Sequence, residues 1–254
     1  MLNEGFWALE LIFAFIPITW LITKFFKPKS IETKFSNPRK EAAIAIAYVF
    51  MALTLLAVIF FLWSMSIGKP IGTYNTYNPI KVINEWIVYT ALSFLPLGVI
   101  LRLKLQNVET VGVSRKNWKL STGIGLLLSM VWLSLGFALT PESFLNLFTL
   151  NSFYAVFYFL AVGFGEELLF RGFLQTRCSA WLGNLEGLVI ASVIMAFAHL
   201  PQRMFAVGYD LPQALFSVVV LIPISLLMGF LFLRTQNIVG SGVFHTVIDL
   251  ASML

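Results

Sequence analysis

The sequence predicts an all-α fold, a polytopic transmembrane helical bundle of about eight spans enclosing a polar intramembrane cavity. Three observations carry this. The chain of 254 residues is 59% hydrophobic and 11% charged, with mean hydropathy +0.86; an average globular domain carries roughly 25% charged residues. Apolar runs of about 20 residues recur along it, the length that crosses a hydrocarbon core. Several ionisable residues nevertheless fall inside the later runs, where an unpaired charge is costly and a polar cavity is the natural host.

The spans follow in order. The first covers residues 6–23 and contains Glu10 and Pro17; Glu10 lies near its start and is read as interfacial. Loop 24–41 sets Lys24, Lys27, Lys29, Lys34, Arg39 and Lys40 against Glu32 and Glu41. A second span covers 42–67, and the connector 68–85 is polar, rich in Gly, Pro, Asn and Tyr. The third span, 86–101, is short and includes Pro96. Loop 102–119 sets Arg102, Lys104, Arg115, Lys116 and Lys119 against Glu109. A fourth span covers 120–139, before Pro141-Glu142. The fifth begins near 153 and continues to about 180, where Gly183-Asn184 breaks it. The sixth runs over 187–199 ahead of Pro201, the seventh over 214–233, and the last from 238 to the end. Pro and Gly interruptions suit bent or short helices around a cavity.

The net charge of +5 is concentrated in the two basic loops, so it is a topology signal and not a nucleic-acid footprint. It places both loops in the cytoplasm and both termini on the far side, with Arg171, Arg177 and Arg234 on the cytoplasmic side. Asn3 and Glu4 stand where a secretory leader has positive charge, so no leader is expected. Cys178 is the only cysteine, which excludes an intrachain disulfide, and is read as a small buried residue. The chain shows no internal repeat. Residues 1–150 supply about four spans without a diagnostic motif, residues 151–254 supply about four more, and together they form one integral domain.

The fifth span holds Phe164-Gly165-Glu166-Glu167-Leu168-Leu169-Phe170-Arg171. Glu167 and Arg171 are i,i+4 neighbours and pair; Glu166 is turned about 100° away and is aimed elsewhere. The two histidines of the chain, His199 and His245, lie in apolar spans. At 1.5 Å per residue, Glu166 and His199 each lie about 20 Å, and His245 about 15 Å, from the cytoplasmic ends of their helices. Three helices of alternating direction thus bring them to a similar level. His245 and Asp249 are i,i+4 and share a face, as do Met195 and His199. Arg203 and Asp210 are read as solvated residues of a connector.

Glu166-Glu167 with Arg171, a segment ending in His199, and His245 with Asp249 resemble the CAAX-processing endoprotease and bacteriocin-processing (CPBP, or Abi) family of intramembrane proteases. The resemblance covers about residues 153–254; Met195 stands where the family commonly has Phe. It implies that 151–254 is the catalytic part of an intramembrane endopeptidase. Such an enzyme hydrolyses a peptide bond near the C-terminus of a membrane-associated or prenylated protein or peptide. The resemblance implies Glu166 as the general base that activates a water and His199 as its positioner. Arg171 with Glu167 holds the helix face, and His245 with Asp249 stabilises the oxyanion. An ionised Asp249 repels an oxyanion, so it is either protonated, as burial near Glu166 would enforce, or orients His245, which is its favoured role.

No cofactor is expected. Zinc held by the same residues is the rival mechanism, since two imidazoles and a carboxylate can bind it, but no His-Glu-x-x-His helix is present. Two readings from other classes are a non-catalytic bacteriocin-immunity or binding protein and a proton-coupled carrier. The absence of an inverted repeat speaks against the carrier. A hydrogen-bond network that only glues helices is the bland reading, and suits Glu167–Arg171 better than Glu166 with both histidines. The expected partners are the peptide or prenylated-protein substrate and the bilayer, with the active site open to the cytoplasmic side.

Overall fold

The computed structural model describes residues 2–28, 35–67, 76–141 and 143–254, with the side chains of residues 2–11, 63 and 67 excepted. Most of the basic-loop stretch 29–34, the connector stretch 68–75, Glu142 and the Glu10 side chain therefore lie outside the described residues. Among those described, the regular structure is entirely helical. The helices are α1 (Leu2–Phe26), α2 (Pro38–Ile67), α3 (Pro79–Tyr89), α4 (Leu95–Leu103), α5 (Trp118–Leu139), α6 (Ser143–Asn146), α7 (Leu150–Glu167), α8 (Thr176–Leu182), α9 (Asn184–Ala198), α10 (Leu211–Thr235) and α11 (Ile238–Ala251). By length and composition 6 stretches can cross a membrane, and Ile12–Phe26 and Ile238–Ala251 are shorter apolar helices.

Several spans join two helices through π-helical turns. Helices α3 and α4 form one stretch, Pro79–Leu103, through the π-helical Thr90–Phe94. Its start corrects the expected onset at residue 86. Asn78 caps the helix by accepting from the Lys81 amide at 3.0 Å, and Pro79 occupies the first turn, where its missing N–H costs nothing. The polar Lys81, Asn84 and Glu85 hide this start in a hydropathy reading, and Glu85 consequently sits inside the span. Pro96 cannot donate to the carbonyl four residues back; that carbonyl, on Leu92, accepts from the Tyr48 hydroxyl at 2.5 Å instead.

Helices α7 and α8 likewise form Leu150–Leu182 through the π-helical Leu168–Gln175, in line with the expected length of the fifth span. The sixth expected span is too short. Its helix runs Asn184–Val207, turning at His199 and continuing through Pro201 into the π-helical Gln202–Val207. Helix α10 starts at a capping box in which Asp210 and Gln213 bond reciprocally.

Helix α11 is the hub, packed between α5 and α7. The α5 crossing is a backbone contact: a Cβ on Gly125 would collide with Gly240, the small-residue packing that draws membrane helices together. Helix α10 packs on α9 and α1, and α3 on α7. The N-terminal helices are tied to the later ones by a polar cluster. Glu41 lies 2.5 Å from Lys104 and 3.6 Å from Arg177, and Arg177 donates to Gln106 at 2.6 Å.

Candidate active site

The site forms where α7 ends. Glu166 and Glu167 are the last residues of its regular part, and the π-helical turns begin at the next residue. Widened turns of this kind recur at functional sites. Here all three π-helical segments adjoin site residues: Thr90–Phe94 follows Tyr89, Leu168–Gln175 follows Glu167, and Gln202–Val207 follows the turn at His199.

Glu167 and Arg171 are fully buried and 3.2 Å apart. The guanidinium also donates to the Ser225 carbonyl and hydroxyl of α10, at 2.9 and 3.0 Å, and contacts the Met195 thioether of α9. Met195 is thus a soft wall against Arg171, while its carbonyl meets Nδ1 of His199 at 2.9 Å. A carbonyl only accepts, so Nδ1 carries the proton. Nε2 of His199 faces Glu166 Oε2 at 3.9 Å.

His245 is held in the same way from the other side. Its Nδ1 lies 3.2 Å from Glu167 Oε1, and donates to that carboxylate. Its Nε2 faces Glu166 Oε2 at 3.9 Å and Asp249 Oδ2 at 3.5 Å. The structure therefore brings all six candidates, Glu166, Glu167, Arg171, His199, His245 and Asp249, into one cluster. The closer orienting group for His245 is Glu167, where the sequence reading favoured Asp249. Glu166 Oε2 and Glu167 Oε2 are buried without a hydrogen bond from the protein. Both Nε2–Oε2 separations exceed a direct hydrogen bond and suit one water between the groups.

Sequence reasoning missed the residues that α3 contributes. The Tyr89 hydroxyl donates to Glu166 Oε1 at 2.8 Å, satisfying the oxygen that the imidazoles leave. Gly165 permits this reach, because a Cβ there would strike the Tyr89 ring. Glu85, one turn earlier, is half-buried and lies close to Tyr158 of α7. Tyr158 in turn stacks edge-on with Tyr77 at 5.1 Å between centroids. Burial, with Asp249 and Glu85 close by, pushes the Tyr77 phenol up to about 12, so it stays protonated. Arg203 was read as solvated; it is half-buried and its Nε has no hydrogen bond. The reason is the helical continuation past Pro201, which packs Gln202–Val207 against α2 and α10. Asp210 is exposed, as expected.

Among the described residues no group of three or more His, Cys, Asp or Glu side chains converges as metal ligands would. The donor types present suit zinc chemically; their spacing around Glu166 leaves the ring nitrogens facing a carboxylate oxygen.

Residues 148–251 match the family model of type II CAAX prenyl endopeptidases, Rce1-like. That segment is similar to the Rce1-like CAAX protease family. The match agrees with the motif resemblance, and with the membrane-crossing helices it makes the chain an integral membrane protein. The Rce1-like segment contains all six clustered residues, while Tyr89, Glu85 and Tyr77 lie outside it. No curated protein and no solved structure matches the chain.

Proposed function

We propose that this protein is an intramembrane endopeptidase that cleaves a peptide bond near the C-terminus of a prenylated or otherwise membrane-associated protein, using Glu166 to activate water. One observation carries the reading. Two imidazoles, each locked through Nδ1, aim their Nε2 atoms at one oxygen of one buried carboxylate, each at 3.9 Å.

In this mechanism a water bridges Glu166 Oε2 and His199 Nε2. Glu166 takes a proton as the water oxygen attacks the scissile carbonyl carbon. Negative charge moves to the carbonyl oxygen, where His245, in its imidazolium form, donates Nε2–H while Nδ1–H stays on Glu167. Collapse breaks the C–N bond, and Glu166 returns its proton to the leaving amine. Tyr89 fixes the other carboxylate oxygen and so sets which lone pair faces the water. Arg171 acts through Glu167, and Asp249 borders the substrate side of His245. The basic ends of the helices put the entrance on the cytoplasmic side.

The test is turnover by the purified full-length protein in detergent, with a farnesylated peptide and its unprenylated counterpart, with and without chelator. Glu166→Gln is expected to lower turnover about 10²–10⁴-fold while peptide binding is retained, and chelator to have no effect. Undiminished turnover by Glu166→Gln would overturn the base assignment. Loss with chelator, restored by zinc, would replace the metal-free mechanism by the zinc one. Equal cleavage of both peptides would remove the prenyl group from the substrate description.

A further inference from the structure

The α1, α5 and α10 ends meet on the basic face of the bundle, away from the catalytic cluster. Two cavities open there, of ≈ 350 and ≈ 420 Å³, and both are lined by Lys27 and Pro28. Lys24 and Arg234 line the first; Arg115 and Lys119 line the second. Among the described residues no carboxylate lines either one.

Partner choice separates these five cations from their neighbours. On the same face Lys104 and Arg177 reach Glu41, and Lys116 reaches Glu109 at 3.5 Å. Among the described residues none of the five has a carboxylate within ion-pair distance. Three of them touch neutral groups instead. Lys24 lies over the Trp20 ring at 4.6 Å, Lys119 over Trp118 at 5.7 Å, and Arg234 Nε donates to the Thr23 hydroxyl at 2.9 Å. Five like charges around two adjoining hollows repel one another, and an anion seated between them removes that cost.

The rim says which anion. Phe25, Phe26 and Trp118 are 81%, 64% and 47% exposed beside the cavities, aromatic residues at the level where membrane helices meet headgroups. A free ion makes no use of them; acyl chains do. We propose that the paired cavities bind the phosphate headgroup of an anionic phospholipid, whose chains lie along the exposed ends of α1 and α5. Basic hollows between membrane helices on the cytoplasmic face are suited to such headgroups.

The experiment uses the full-length protein in neutral detergent, titrated with phosphatidylglycerol or with phosphatidylcholine of the same acyl chains. It reads the thermal midpoint and the lipid retained in native mass spectra. Phosphatidylglycerol is expected to raise the midpoint and stay bound, and phosphatidylcholine to do neither. The variant K24Q/K27Q/R234Q is expected to weaken phosphatidylglycerol binding roughly a hundredfold. A second variant, R115Q/K119Q, tests the other cavity should the first fold poorly. The control R39Q/K40Q/R102Q removes the same number of exposed charges elsewhere on this face and is expected to bind as the parent does. Equal response to the two lipids, or equal loss in control and cavity variants, would overturn the site in favour of a diffuse surface field. Displacement of phosphatidylglycerol by inorganic phosphate at matched concentration would overturn the lipid assignment in favour of a free phosphoanion.

Discussion

The Rce1-like segment and the helices before it use the same apolar alphabet to opposite ends. In the segment, α7, the π-helical turns after it, α8 and α11 bury Glu167, Arg171, Arg177 and His245 and give each a charged or hydrogen-bonding neighbour. Earlier, α2 buries only a thin stripe of Ala42, Ala45, Val49 and Ala52 beside Glu41, while Phe50, Met51, Leu55 and Leu62 are about half exposed or more. Lipid is as apolar as these side chains, so no hydrophobic force drives them inward. A membrane helix that only jackets a site therefore needs little more than one small-residue face. A helix that holds a site must satisfy every charge it carries. Early residues break the division, among them Tyr89, Glu41, Gln106 and Thr23, and each of these reaches a charged residue of the later helices.

The strongest way to break the comparison is to unpair a buried charge. Arg171→Met leaves Glu167 fully buried with His245 Nδ1 as its remaining close partner and removes two bonds to Ser225. A loss of about 3–5 kcal/mol is expected, read as a large fall in the unfolding midpoint in detergent. A midpoint near the parent's would mean that the segment tolerates unpaired charge as the jacket does. Arg177→Met sharpens the point at a smaller size. Glu41 keeps Lys104 at 2.5 Å, so the cost is the orphaned Gln106 and one weak pair, about 1–3 kcal/mol. A loss as large as that of Arg171→Met would make the tie to α2 part of the segment's own core.

The same asymmetry decided how much was legible in the sequence. Charges inside apolar runs are conspicuous, and their spacing encodes which share a face; Glu167–Arg171 and His245–Asp249 were readable for that reason. Depth counting brought His199 and His245 to Glu166 because α9 and α11 are regular up to their histidines, although the count from residue 180 to Glu166 crosses the π-helical Leu168–Gln175. The missed parts have weaker signals. Tyr89 is an aromatic among many in a chain with 7 Tyr and 25 Phe, and nothing local says that Gly165 has cleared room for it. Glu85 read as loop because three polar residues precede the apolar run, although Asn78-Pro79 announces a helix start. The π-helical turns leave no mark on a pattern of period 3.6. Arg203 was misplaced because Pro201 was taken as an end, where it is a bend.

Tyr89→Phe tests whether the jacket contributes chemistry. It removes one hydroxyl that donates to Glu166 and keeps the ring packed on Gly165. A hydrogen bond to a charged group is worth roughly 1.5 kcal/mol, so turnover is expected to fall about tenfold with the unfolding midpoint unchanged. Because the hydroxyl touches Glu166, the proposed base, kcat should fall and KM should hold. A change in KM alone would move Tyr89 from positioning the base to shaping the substrate path.

The smallest expected effect belongs to Phe50→Leu. Phe50 is 54% exposed on α2, and the change trades one apolar surface for another against lipid, so stability should stay within about 0.5 kcal/mol of the parent and turnover should not move. This null result has content, because the proposed substrate is itself lipid-borne and must approach through the membrane. Were Phe50→Leu to raise KM for the farnesylated peptide and not for its unprenylated counterpart, the exposed face of α2 would be a path for the prenyl chain. The line between jacket and site would then run through α2 and not at the start of the Rce1-like segment.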